Sequence, residues 1–150
     1  MSDAPDTSAP HLWLVCWKAY RAIEQRDRQS IKEQGFDGLS DFAVLEVLLH
    51  KGPQPVNTIG RRVMLTSGSI TAAVDRAEKK GYVERRPSPK DRRVVEVHLT
   101  PEGRAHIANA YEKHAGALEE IFGELSKDER LQIYHLMKKV GRRAEALASE

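Results

Sequence analysis

The chain has 150 residues, enough for one domain or one subunit that buries a core without disulfides or a structural metal. A hydrophobic share of 40% and a charged share of 31% fit a soluble globular fold, and no run approaches the ~18 apolar residues of a membrane span. The net charge of +2 hides an uneven distribution, because ten basic residues face four acidic ones between Val56 and Arg93 while the rest of the chain is mildly acidic. A basic middle between acidic flanks is what a localised phosphate-binding surface requires.

In chain order, residues 1–10 (MSDAPDTSAP) carry neither a basic n-region nor an apolar h-region, and are expected to form a disordered polar leader. The single cysteine, Cys16, excludes an intrachain disulfide and points to a reducing, cytoplasmic setting. From about His11 to Lys32 the spacing predicts a helix with two apolar lines, one of Leu12, Cys16, Ala19 and Ile23 and one of Trp13, Trp17 and Tyr20. A helix apolar on two faces needs cover on both, and in so small a chain the second face is expected to meet another subunit. Residues 11–38 are therefore read as a dimerisation helix with its connector.

Ser40 is positioned to cap a second helix that runs to about Lys51, ended by the break Gly52-Pro53-Gln54-Pro55. A short helix from Val56 to Val63 follows. Thr66 then caps a helix to Lys80 that turns Ile70, Ala73, Val74 and Ala77 inward, with Gly81 as its left-handed stop. Two short helices joined by a tight break form a helix-turn-helix. Tyr82 to Arg86 reads as a strand, Pro87 to Arg93 as a loop, and Val95, Val97 and Leu99 alternate with Glu96 and His98 as a second strand. The hairpin is a wing, and residues 39–99 make up the winged helix-turn-helix region.

Thr100-Pro101-Glu102 opens a long helix, and Ile107, Tyr111, His114, Leu118, Ile121 and Leu125 mark a coiled-coil-like stripe along it. Ser126 to Glu129 is a capping box for a last helix with Ile133, Leu136, Met137 and Val140 as its apolar side. Residues 100–150 are expected to complete the dimerisation region. The fold class is mostly α, with one small β-hairpin.

With these elements in place, the chain resembles the MarR family of transcriptional regulators along most of its length after the leader. The most specific piece is Asp91-Arg92-Arg93-Val94-Val95-Glu96-Val97-His98-Leu99-Thr100-Pro101-Glu102-Gly103, which is similar to the family's wing pattern. Leu65 to Thr71, continuing through Asp75-Arg76 to Gly81, looks like its recognition helix, although Ala77 stands where relatives usually carry leucine. The resemblance implies an obligate homodimer, built on the first and last helices, that binds double-stranded palindromic DNA.

In a helix-turn-helix the start of the second helix enters the major groove. Here that segment offers Ser67, Gly68, Ser69, Thr71 and Ala72, with Arg76 further along at the groove edge. Serine and threonine at a helix start are equally explained as capping chemistry. Arg61, Arg62, Thr66, Arg85, Arg86 and Arg92 are expected on phosphates, which fix register without reading sequence. Arg93 at the wing tip is suited to a narrow minor groove, with Asp91 two residues earlier directing its guanidinium through a charge-assisted hydrogen bond. The alternative is a surface turn with a weak ion pair.

The resemblance also implies a small-molecule effector. The first helix looks like that of the branch answering phenolic compounds and quinones, with Trp13, Trp17 and Tyr20 as an aromatic wall and His50 or Lys18 as polar handle, although aromatics at this spacing also serve as core. Cys16 is a second candidate switch, for peroxide, with Tyr20 one turn along as hydrogen-bond donor to its thiolate. Metal sensing has only the pairs Glu46/His50 and Glu102/His106, so no metal or other cofactor is expected. No phosphate-cradling loop, nucleophile elbow or zinc signature argues for an enzyme. A winged helix used solely for protein contacts is the rival of the DNA reading.

Overall fold

A computed structural model describes residues 4–149. Its elements run α1 (Ala9–Glu33), α2 (Leu39–Lys51), β1 (Gln54–Pro55), α3 (Val56–Arg62), α4 (Ser67–Lys79), β2 (Val83–Pro87), β3 (Val95–Leu99), α5 (Pro101–Phe122) and α6 (Lys127–Ala148). The chain divides into two units, Met1–Ala117 and Leu118–Glu150. The first runs past the boundary expected at residues 99–100, because Gly103, Ile107 and Ala110 of α5 are buried together with the helix-turn-helix. The first three residues of the expected leader lie outside the described residues. Residues 4–8 have no regular structure, and Ala9 and Pro10 already belong to α1.

The core of the first unit gathers Phe42, Leu45 and Leu48 of α2, Ile59 of α3, Ile70 and Val74 of α4, Val83 and Val97 of the sheet, and Ile107 of α5. Burial of such side chains supplies the main stabilisation, at about 1.5–3 kcal/mol each. Ala77 is buried beside them on the inward side of α4. Thr66 caps α4 as expected, accepting a hydrogen bond from the Ser69 amide at 3.3 Å, and Gly81 stops it at φ +76°. Ser40 does not cap α2. Gly38 holds that position without a side-chain bond, and the Ser40 hydroxyl instead accepts from Arg76 Nη2 at 3.4 Å.

The wing is larger than a hairpin. Strand order is β1-β3-β2, all antiparallel, with Gln54 opposite Val97 and Pro55 opposite Glu96 on one side of β3. β1 lies within the segment read as a break. On the other side Val83 pairs with Leu99 and Pro87 with Val95, so Pro87 ends the edge strand rather than opening the loop. A proline fits there because its missing N–H faces away from the ladder.

Two histidines of α5 stitch this unit together. His114 is buried, with Nδ1 3.2 Å from the Ser30 hydroxyl and Nε2 3.3 Å from Asp27 Oδ1, so it packs on α1 of its own chain. His106 lies between two rings, 4.9 Å from Phe36 and 4.6 Å from Tyr82 between centroids. Burial, and then the Lys80 ammonium, hold His106 below its ordinary pKa. The unfolded chain therefore takes up this proton first as pH falls below about 6.5, and stability contributed by neutral His106 is lost with falling pH. The drop in urea midpoint between about pH 7.5 and 5.5 should be smaller in His106→Phe than in the wild type. An unchanged drop would show that His106 does not carry it.

Two helices leave apolar residues uncovered. On α1 only Ser30 and Ile31 are buried, while Leu12, Val15, Trp17 and Tyr20 are exposed and Trp13 is 69% exposed. In the second unit α6 starts with the expected capping box, in which Ser126 N donates to Glu129 Oε2 at 2.8 Å. That bond and the Ser126 hydroxyl hold the Glu129 carboxyl below its usual range. α6 buries none of its described side chains, and Ile133, Leu136, Met137 and Val140 stand exposed along one side. No helix among the described residues is long and apolar enough to cross a membrane.

Candidate nucleic-acid interface

The inward stripe of α4 (Ile70, Ala73, Val74, Ala77) forces its other residues outward. Ser67, Gly68, Ser69, Thr71 and Ala72 are all exposed on that outer face. Part of their hydroxyl chemistry is spent locally. The Thr66 hydroxyl donates to Ser69 Oγ at 2.9 Å, and Thr71 Oγ1 donates to the Ser67 carbonyl at 2.8 Å. Side chains this short leave a shallow, polar helix start, a shape that admits close approach of a duplex. At the end of α3, Arg61 Nη2 donates to Thr58 Oγ1 at 3.2 Å and Arg62 Nε to Gln54 Oε1 at 2.8 Å. Both guanidiniums meet neutral partners and keep their net charge available.

Three other arginines are differently placed. Arg76, expected at the groove edge, turns to Asp41 of α2, with Nε donating to both carboxylate oxygens at 3.0 and 3.1 Å. Arg85, expected on phosphate, reaches Asp75 Oδ1 at 2.6 Å with Nη2 and Glu78 with Nη1, tying β2 to α4. Arg86 pairs with Glu84. Lys80 likewise meets Asp37 at 2.7 Å. Carboxylates lie within reach of all four cations, and the pairs of Arg76, Lys80 and Arg85 tie α4 and its end to neighbouring segments. What remains outward of the ten is Arg61, Arg62, Lys79, Lys90, Arg92 and Arg93.

The Arg76–Asp41 pair is lopsided, its side chains being 46% and 9% exposed. Arg76→Ala strands a buried carboxylate, whereas Asp41→Asn leaves a guanidinium that water can still reach. After discounting for that exposure, the first should cost about 2 kcal/mol in urea unfolding and the second about 1 kcal/mol or less. Equal losses would contradict this asymmetry.

At the wing tip Ser88 N donates to the Val94 carbonyl at 2.7 Å and Val94 N to the Asp91 carbonyl at 2.9 Å, closing the loop. Asp91 works differently from expectation. Its Oδ1 accepts from the Arg93 backbone amide at 3.0 Å, while the Arg93 Nε stays 3.8 Å away. Asp91 thus shapes the loop and leaves the guanidinium loosely paired, on a side chain that is 95% exposed. Arg92 is exposed beside it.

The expected effector residues are not brought together within one chain. His50 lines an open cleft of about 350 Å³ with Glu46, Val47, Lys51 and Arg62, its ring edge-on to Tyr111 at 4.5 Å. Burial pushes the Glu46 carboxyl up, opposed by His114 and His50. Trp13, Trp17 and Tyr20 do not line this cleft and stand exposed on α1. Cys16 is exposed. Glu24, one turn beyond Tyr20, accepts from Arg28 Nη2 at 2.8 Å, which holds its carboxyl below its usual range. Among the described residues no group of three or more His, Cys, Asp or Glu is placed to hold a metal.

Residues missed in the sequence are Asp41, Asp75 and Glu78, whose partners lie 7 to 35 positions away. Met64 was also missed. It forms the turn between α3 and α4 at φ +57° and is 92% exposed.

Against known proteins, the family model described as MarR family matches residues 39–95. The chain is 38% identical to the uncharacterised HTH-type transcriptional regulator YkoM of Bacillus subtilis (strain 168), over 89% of this chain and 86% of that protein. It is 37% identical to the HTH-type transcriptional regulator MhqR of the same organism, over 89% and 92%. Among solved structures it is similar to the transcriptional regulator BldR of Sulfolobus solfataricus, with 30% identity, a TM-score of 0.72, and coverage of 88% of this chain and 94% of that one.

Proposed function

The chain belongs to the MarR family of transcriptional regulators, and from that premise we propose that it is a cytoplasmic homodimeric repressor that reads palindromic DNA and is released by a small phenolic or quinone-like ligand. The observation that carries the DNA reading is the pairing of two outward features. α4 presents Ser67, Gly68, Ser69, Thr71 and Ala72 on its outer face, and a closed hairpin extends Arg93 beyond its loop. The helix start enters the major groove, Arg93 enters the adjacent minor groove, and Arg61, Arg62, Thr66 and Arg92 sit on phosphates. Arg76 and Arg85 act as braces in this reading and not as contacts, and Arg86 pairs with Glu84 on its own strand.

The exposed apolar sides of α1 and α6 support the dimer, since each is too extensive to stay in water on a stable monomer. Two-fold symmetry places the half-sites about 34 Å apart. Repression follows from occlusion of a promoter. The effector is held at the His50 cleft, with Trp13, Trp17 and Tyr20 supplying its aromatic wall once two chains are assembled. Release by peroxide through the exposed Cys16 is the second reading, separable by a Cys16→Ser variant that keeps or loses the response.

Fragments selected from genomic DNA by the purified protein, then footprinted, test the proposal. It expects two protected half-sites related by a dyad, about one helical turn apart. Protection of one unsymmetrical patch, or enrichment of nothing, speaks against it. Enrichment of nothing together with capture of a protein partner favours the protein-contact alternative.

A further inference from the structure

We infer that Met64 is a DNA-contacting residue, whose thioether side chain lies against apolar atoms of the bound duplex, either deoxyribose carbons or a thymine methyl. The inference rests on the DNA-binding reading above and adds a contact residue that the sequence patterns do not mark.

Met64 combines two costs at one position. It is the one non-glycine residue with positive φ among the described residues, a conformation that L side chains adopt at a price and glycine adopts freely. It is also 92% exposed, more than any other large apolar side chain described. Other exposed apolar residues belong to continuous sides of α1 and α6 or to the wing, whereas Met64 stands alone in the helix-turn-helix turn. Its neighbours behave otherwise. Val63 and Leu65 pack against the core, and Leu65 N donates to the Gly60 carbonyl at 3.0 Å to close the turn. Turning those two inward drives Met64 outward.

The surroundings identify the occupant. Arg61 and Arg62 precede Met64 and the Thr66 and Ser67 hydroxyls follow it, so the apolar side chain is framed by groups suited to phosphate. Between successive phosphates a duplex offers sugar carbons, and at the groove wall it offers thymine methyls. An unbranched methionine adapts to either surface.

The test compares wild type, Met64→Gly and Met64→Leu for melting temperature and for affinity to the selected operator by fluorescence anisotropy. Met64→Gly should bind about tenfold more weakly, from the loss of one buried apolar side chain, yet melt about 2–3 °C higher because the left-handed turn is relieved. Met64→Leu should stay within about twofold of wild type. Opposite movement of stability and affinity is the signature. Met64→Gly that binds as tightly as wild type overturns the inference, and so does a loss of affinity accompanied by a lower melting temperature. Repeating the comparison on an operator with uracil in place of thymine assigns the contact: a penalty that vanishes marks the methyl, and one that persists marks the sugar. Wild type that binds no selected DNA defeats the underlying reading instead.

Discussion

Arg93→Ala is expected to weaken operator binding by about tenfold to a hundredfold while leaving the melting temperature within about 1 °C of wild type. The guanidinium is 95% exposed and its carboxylate neighbour is 3.8 Å away, so its removal breaks no packed contact and no close hydrogen bond. All of its value lies in a partner. In a narrow minor groove the negative potential is enhanced, and a planar cation on a rigid loop is attracted without further ordering. The loop is ordered beforehand by the Asp91 carboxylate on the Arg93 amide and by the Ser88–Val94 backbone bond. Arg93→Lys keeps the charge but not the planar fork, and should recover only part of the affinity. Anisotropy titrations of the three proteins on one operator check this. Unchanged affinity in Arg93→Ala would remove the wing from the interface.

Gly103→Ala is expected to destabilise the fold by about 3 kcal/mol, seen as a fall of about 10 °C in melting temperature. A Cβ at this position would sit 1.9 Å from the Tyr82 carbonyl oxygen and 2.7 Å from its carbon. These are backbone atoms and cannot swing aside. That same carbonyl accepts from Thr100 N at 3.0 Å, and the Thr100 hydroxyl donates to the Gly81 carbonyl at 2.7 Å while accepting from Gly103 N at 3.0 Å. The start of α5 is thereby locked across the end of α4 and the start of β2. Substitution at Gly103 must part these three segments, so DNA affinity should fall with stability, unlike in Arg93→Ala. A Gly103→Ala protein with wild-type melting behaviour would show that the crossing is looser than its geometry implies.

Why some of this was legible in the sequence and some was not follows from the range of the interactions. Local signals read well. Thr66 and Ser126 cap the helices they precede, Gly81 takes the left-handed stop, and Val97 is buried in β3, although Val95 on the same side is exposed. Each depends on residues within about one turn of the chain. The two apolar lines of α1 were likewise readable, because their excess is a property of the helix alone. Interactions fixed by tertiary contact were not readable. β1 has two residues, one a proline, and exists because β3 passes beside it. Ser40 looks like a cap, but its hydroxyl meets Arg76 instead, 36 positions on. The basic stretch carries less free charge than its composition suggests, since Asp41, Asp75, Glu78 and Glu84 occupy three of its arginines. Met64 escaped notice because a left-handed turn is anticipated at glycine, and nothing local distinguishes a methionine that adopts it.

Sequence-specific DNA binding is measured most directly by titrating the protein onto a fragment from upstream of its own gene, against random DNA of equal length, at two salt concentrations. Tighter binding to the upstream fragment is expected, with affinity falling steeply as salt rises, because phosphate contacts release counterions. A folded protein that binds neither DNA at low salt would contradict it.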